Sequence, residues 1–159
     1  MITMSVWLLI ALILLFIAVV VGVWASGLAQ RLNRLHIRTD AARINLQGAL
    51  DARAAVVEAL QPELADEVNR LSSTVLRATD MGHRSDAENA LSRRLDPAVL
   101  SNSSFIAAST RVDLAARFYN DAVADTRGVR ARPIVRALKL AGRAPLPAFY
   151  EALTTDHHE

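Results

Sequence analysis

Val6–Ala25 reads VWLLIALILLFIAVVVGVWA, twenty residues without a charge, and its reading decides the fold. About 20 apolar residues in a helix cross a hydrocarbon core of about 30 Å, so this stretch has the length of one membrane span. Met1 to Gln30 holds no Asp, Glu, Lys, Arg or His. Trp7 and Trp24 lie near the two ends, where indole rings prefer the headgroup boundary. The competing reading is a cleaved signal peptide, since Val23-Trp24-Ala25 before Ser26 resembles a cleavage site. Against it stand the missing basic n-region and an apolar run longer than the usual 7–15 residues or so. Arg31, Arg34, Arg38 and Arg43 follow the span at once. Positive charge stays on the cytoplasmic side, which predicts an outside N-terminus and a cytoplasmic C-terminal domain. The chain of 159 residues thereby divides into an anchor at 1–30, a cytoplasmic helical bundle at 31–142 and a tail at 143–159.

Beyond the span the apolar residues recur at three and four. Leu28, Leu32, Leu35, Ala42, Leu46, Ala49, Val56 and Leu60 form one helical stripe. No proline separates them from the span, so one uninterrupted helix is expected as far as Leu60, with Pro62 ending it or opening the next. A second helix is predicted from Pro62 to Gly82, carrying Leu64, Val68, Leu71, Val75 and Leu76. Ser85-Asp86-Ala87-Glu88 has the spacing of a capping box and predicts a short third helix to about Leu95. Asp96-Pro97 restarts a brief turn, and Asn102-Ser103-Ser104 caps a long fourth helix expected to run to about Thr126 and stop at Gly128. Arg132-Pro133 opens a fifth that Gly142 closes. No period-two strand pattern is present. The expected fold is all-α: a single N-terminal transmembrane helix continuing into an antiparallel bundle of four to five helices.

Composition narrows the function. The chain has no cysteine, which removes thiolate nucleophiles, disulfides and Cys-ligated zinc. Net charge is +2 from 18 basic and 16 acidic residues, too even for a nucleic-acid binder by charge alone. Lys139 is the one lysine, and the arginine and alanine usage is what high-GC bacterial coding produces. Phosphate-binding glycine loops, zinc-protease and nucleophile-elbow motifs are missing. No enzymatic constellation remains, and neither a cofactor, a small-molecule substrate nor a metal is expected.

Phe118-Tyr119-Asn120-Asp121-Ala122-Val123, preceded by Ala115-Ala116-Arg117, resembles the late signature of the LemA family. Leu32-Asn33-Arg34-Leu35, then Asp40-Ala41-Ala42-Arg43 through Leu46, Leu50, Arg53 and Val56-Val57, is similar to that family's first-helix motif. Pro145-Leu146-Pro147-Ala148-Phe149-Tyr150-Glu151 is similar to its closing proline–aromatic–glutamate segment. The order of the blocks and the N-terminal anchor agree with the family. Arg43 stands at the family's tryptophan position and Glu58 at its proline position, and the middle, from Gln61 to Asn102, is shortened. The resemblance implies a divergent member, a membrane-anchored antiparallel bundle and no attached enzymatic activity.

Three groups of residues are candidates for contact with a partner. Ala18, Gly22 and Ser26 fall at i, i+4 and i+8, a small-residue stripe that lets another transmembrane helix come close. Phe118, Tyr119, Asn120 and Asp121 carry the family motif. Between Arg127 and Arg143 there are six basic residues and no acidic one. Of these, Arg132, Arg136, Lys139 and Arg143 share one helical face, with Ile134, Val135, Leu138 and Ala141 opposite, the pattern of an interfacial helix on anionic lipid headgroups. Asn120, Asp121 and Asp125 are expected to meet arginines of the first helix or solvent, and His36 to face headgroups or solvent. The expected function is a non-catalytic accessory or scaffold subunit bound to other membrane protein subunits, a bacterial respiratory oxidase supercomplex being the first candidate. The alternative is a free surface module that binds anionic lipid.

Overall fold

In a computed structural model of the chain, which describes residues 2–137 and 145–151, α1 runs without a break from Ile2 to Leu60. At 1.5 Å per residue that is a rod of roughly 90 Å. Its N-terminal part is apolar on every side and none of its residues is buried, and it is long and apolar enough to cross a membrane. From Leu32 onward one apolar stripe is buried where the rest of the chain folds against it, while Ile37 and Ile44 stay exposed off that stripe.

Gln61 interrupts the rod with a ψ of 74°, outside the helical region, and Pro62–Leu64 forms a single 3-10 turn that leads into α2 (Ala65–Ser72). α2 is shorter than the predicted second helix. The Ser73 and Thr74 hydroxyls both donate to the carbonyl of Arg70, using up a helix-end acceptor, and the chain leaves the helix there. Residues 73–81 form an irregular loop that leaves Val75 exposed while Leu76 and Met81 enter the core. Gly82 therefore starts α3 (Gly82–Ser92) rather than ending α2. The expected capping box does not form. Ser85 lies inside α3 and is buried, and the Glu88 carboxylate is occupied by arginines. A four-residue helix α4 (Pro97–Leu100) follows Asp96-Pro97 as predicted.

Asn102 begins α5 (Ser103–Arg130) by accepting the Ser104 N–H at 2.9 Å, as the cap reading required. α5 continues through Gly128, where an added Cβ would meet nothing, because its last turn is held by packing of Val129. α6 (Pro133–Ala137) closes the described helices, and its predicted end at Gly142 lies outside the described residues. No strand forms among the described residues.

α1 and α5 share the main packing seam. Leu32 clusters with Val129 and Val135, Leu46 and Leu50 with Val112, Tyr119 and Val123, and Ala54 and Val57 with Phe105. Residue numbers thus fall along α5 as they rise along α1. Leu46, Leu50, Tyr119 and Val123 are completely buried. α2 and α4 cover the far end of this seam through Leu64, Val68, Leu71 and Val99.

The least expected part of the interior is charged. The Arg84 side chain is 1% exposed and donates to Glu88 at 2.9 Å, to Asp51 at 3.0 Å and to the Thr74 carbonyl at 2.7 Å. Arg53 reaches the other Glu88 oxygen at 2.8 Å, and the Gln47 amide holds Asp51 at 3.0 Å. Two cations and two anions balance each other between α1 and α3, and hydrogen bonds meet their polar atoms. Removing Arg84 leaves Glu88 with Arg53 alone and Asp51, 41% exposed, open to water, so the cost lies at the low end for a buried set, about 3 kcal/mol. Arg84→Met should therefore lower the unfolding free energy by about that amount, measured by denaturant titration of the full chain in micelles. Arg38→Ala, which breaks an ion pair more than half exposed, should cost at most about 1 kcal/mol in the same assay.

Candidate functional site

Val135 of α6 is buried against Leu32 and Val129, with Leu28 and Leu35 packed alongside. Leu28 is three residues beyond Ala25, where the uncharged span ends. This contact pins α6 beside α1 immediately below the apolar rod. Arg31 and Arg34 of α1, Arg132 just before α6 and Arg136 within it are all exposed at this level. The opposite, apolar side predicted for the fifth helix is divided. Val135 is buried in the protein, while Ile134 is 43% exposed. Lys139 and Arg143, the other two residues of the predicted basic face, lie outside the described residues.

His36 belongs to the same end and corrects an expectation. Its ring is turned inward, Nδ1 lies 2.9 Å from the Leu32 carbonyl, and Nε2 is buried without a hydrogen-bond partner. It does not face solvent, because its place on α1 borders the side on which the stripe residues pack.

The block Phe118–Asp121 separates into three functions. Tyr119 is fully buried in the core and its hydroxyl donates to the Ala148 carbonyl at 2.8 Å. The Asn120 amide grips the main chain of Tyr150 twice, donating to its carbonyl and accepting its N–H, each at 2.9 Å. Phe118 and Asp121 point outward and are exposed. Two turns beyond Asn120, Arg127 donates to the Pro147 carbonyl at 2.9 Å and stacks over the Phe149 ring at 4.8 Å. Arg130 reaches the Pro145 carbonyl at 3.0 Å. Ala148 donates to Ala78 at 2.7 Å and Ser85 donates to the Glu151 carbonyl. The segment 145–151 is thus an extended strap, seated through its main chain on α5, the 73–81 loop and α3. Tyr150 is its buried anchor. The strap seat and the Arg84 network are the parts that sequence reading missed. The i, i+4 spacing of Arg84 and Glu88 carried a signal for the network. Asp125 meets Arg38 of α1 at 2.8 Å, as the plainer expectation for the acidic residues required.

Ala18, Gly22 and Ser26 lie exposed along α1, and a Cβ at Gly22 would meet no atom within 4 Å. Among the described residues no three His, Asp or Glu side chains are gathered as a metal site would need.

Burial holds both tyrosines in the neutral form. The Tyr119 phenol is pushed up to about 12, with Arg43 and Arg127 working against the shift, and Tyr150 is likewise pushed up to about 12 by burial and then by Glu88. These are the chain's two tyrosines, so absorbance at 295 nm reads them directly. Neither should ionise near the ordinary pKa of about 10 while the protein is folded. The folded state holds its phenolic protons more tightly, so this contribution to stability is intact below pH 10 and is lost as pH rises toward 12. In Asn120→Ala, which releases the strap, one tyrosine should titrate near about 10 while the other stays high.

Compared with family models, curated proteins and solved structures, the chain matches none.

Proposed function

We propose that the protein is a non-catalytic, single-span membrane module whose antiparallel helical bundle hangs from its own transmembrane helix and rests on anionic headgroups. The observation that carries this reading is the docking of Val135 on Leu32, which brings Arg132 and Arg136 beside Arg31 and Arg34, directly below the apolar rod. Arginines at that depth lie within a Debye length of a negatively charged leaflet, and each contributes about 1 kcal/mol there. The same charges favour a cytoplasmic bundle, an outside N-terminus and, with the arginine-rich composition, a bacterial plasma membrane. The LemA resemblance supports the reading further. The signature block and the closing segment, far apart in sequence, touch each other through Tyr119, Asn120 and Arg127. A contact between two resembling blocks is what a divergent member of the family would keep.

A second reading makes the chain an accessory subunit of a larger membrane assembly, with a respiratory oxidase supercomplex as the first candidate. The open space over Gly22 favours it, since a glycine within a helix costs about 1 kcal/mol relative to alanine and none of the described residues uses its small size.

In nanodiscs of anionic lipid, the amides of α6 should exchange hydrogen more slowly than in zwitterionic lipid. Arg132→Gln, Arg136→Gln, Lys139→Gln and Arg143→Gln together should remove the difference, as should about 0.5 M salt, because screening acts on the same attraction. Equal exchange in the two lipids would refute the headgroup reading. A reporter fused after Glu159 should be active only in the cytoplasm. Gly22→Leu should leave insertion intact and, on the second reading, strip co-purifying subunits.

A further inference from the structure

Among the described residues, one side of the α1–α5 pair is covered and the other is bare. Gln47 and Asp51 of α1 and Asn120 and Arg127 of α5 meet the 73–81 loop, α3 and the strap. On the bare side the Arg38–Asp125 ion pair, 2.8 Å long, ties the two helices at one level. Counting from that pair, four, seven, eleven and fourteen residues onward on α1 and backward on α5 follows one face of each helix. The rungs so defined are Ala42 with Asp121, Asn45 with Phe118, Ala49 with Leu114, and Ala52 with Arg111. Every α1 member beyond Arg38 is small or short, and the α5 members are larger. Phe118 and Leu114 are each 54% exposed and one turn apart, on the side where α1 presents half-buried Ala42 and Ala49 and exposed Ala52.

We propose that this face binds a second copy of the chain, making a four-helix layer of two α1–α5 pairs. Membrane anchoring, taken from the reading above, puts both copies the same way up. Their two-fold axis therefore runs along the helices, and every residue keeps its level. On such an axis α5 of one copy lies against α1 of the other. Phe118 then faces the partner's Asn45 and Leu114 the partner's Ala49, large against small on both sides of the axis. Arg38 faces the partner's Asp125 and Asp125 the partner's Arg38, so two half-exposed ion pairs become a closed ring of four alternating charges. Size is complementary at the Phe118 and Leu114 rungs and charge at the Arg38–Asp125 rung, each to the same surface of an identical chain, as an isologous interface requires, while Asp121 and Arg111 stay at its solvated margin. A lipid or an unrelated helix would not need the two rows to agree rung by rung.

The absence of cysteine makes the test clean. Copies of the full chain carrying Ala49→Cys and Leu114→Cys, each with its own tag, are co-expressed, extracted in mild detergent and treated with a short thiol crosslinker. A product bearing both tags is expected, and Ala49→Cys with Asp113→Cys, on another face of α5, should give none. Phe118→Ala with Leu114→Ala should weaken dimerisation at least about tenfold by concentration-dependent mass measurement, with helical content unchanged. A monomer mass for the unmodified chain in detergent and in nanodiscs overturns the proposal. So does equal crosslinking of the control pair, or a dimer lost on Gly22→Leu but kept without Phe118 and Leu114, which places the contact in the span. Carbonate extraction tests the anchor separately. A chain released by alkali refutes membrane insertion, whereas a chain retained in the pellet without the crosslink refutes only the dimer.

Discussion

The structure depends on one helix having to satisfy two surroundings. Over its first part α1 is apolar all round, and none of that window is buried by the described residues. From Leu32 it is apolar on one stripe, and that stripe is satisfied by α5. No proline, and no glycine in a strained conformation, lies between the two regimes, so the direction of the rod is fixed once and passed from one to the other. Leu46 and Leu50 against Tyr119 and Val123 are the centre of the seam, each with no accessible surface. Every later element is positioned by that contact. α6 sits where α5 delivers it, and the strap lies where Tyr119, Asn120 and Arg127 of α5 project.

A single helix pair cannot by itself bury two amphipathic stripes, and the covering on its filled side is unusual in kind. Instead of an apolar layer alone, α3 brings Arg84 and Glu88 into contact with Asp51 and Arg53 of α1. Such a set gains little net stability over an apolar core, because desolvation offsets the attraction. What it adds is register. Glu88 can take two arginines and Arg84 three acceptors in one relative placement of α1, α3 and the 73–81 loop. The strap then extends this fixed arrangement, since Ser85 and Ala78, both held by the network's neighbourhood, bind its main chain.

The long elements were legible in the sequence because each depends on a local pattern. The apolar run, the stripe from Leu28 to Leu60 and the Asn102 cap all describe residues within a turn or two of each other. Glycine and serine were read less well, and for a common reason. Gly82 and Gly128 look like stops in the sequence, yet both are in helical segments with open space beside them, where glycine costs about 1 kcal/mol and does not end a helix. Ser85 and Glu88 have the spacing of a capping box, but tertiary partners claim both side chains. The strap seat was out of reach for another reason. Its contacts are to main-chain atoms of 145–151, and a main-chain carbonyl leaves no mark in a sequence. Only Tyr150 and Phe149, one buried and one stacked on Arg127, gave any sign of it.

The two sides of the α1–α5 pair follow from the same arithmetic of 3.6 residues per turn. The filled side uses long polar side chains, Gln47, Asp51, Asn120 and Arg127, because it must reach loops and main chain at varied distances. The bare side uses alanines on α1 and two large apolar residues on α5, a relief that suits a straight, regular neighbour rather than a loop. Half-exposed Phe118 sits next to fully buried Tyr119 and strap-binding Asn120, so three consecutive residues face three directions. A helix that commits adjacent positions to the core, to an internal ligand and to an outward surface has no face left idle. The composition of that outward face is then set by whatever lies against it, and its rung-by-rung match of large to small is satisfied by the same pair of helices repeated.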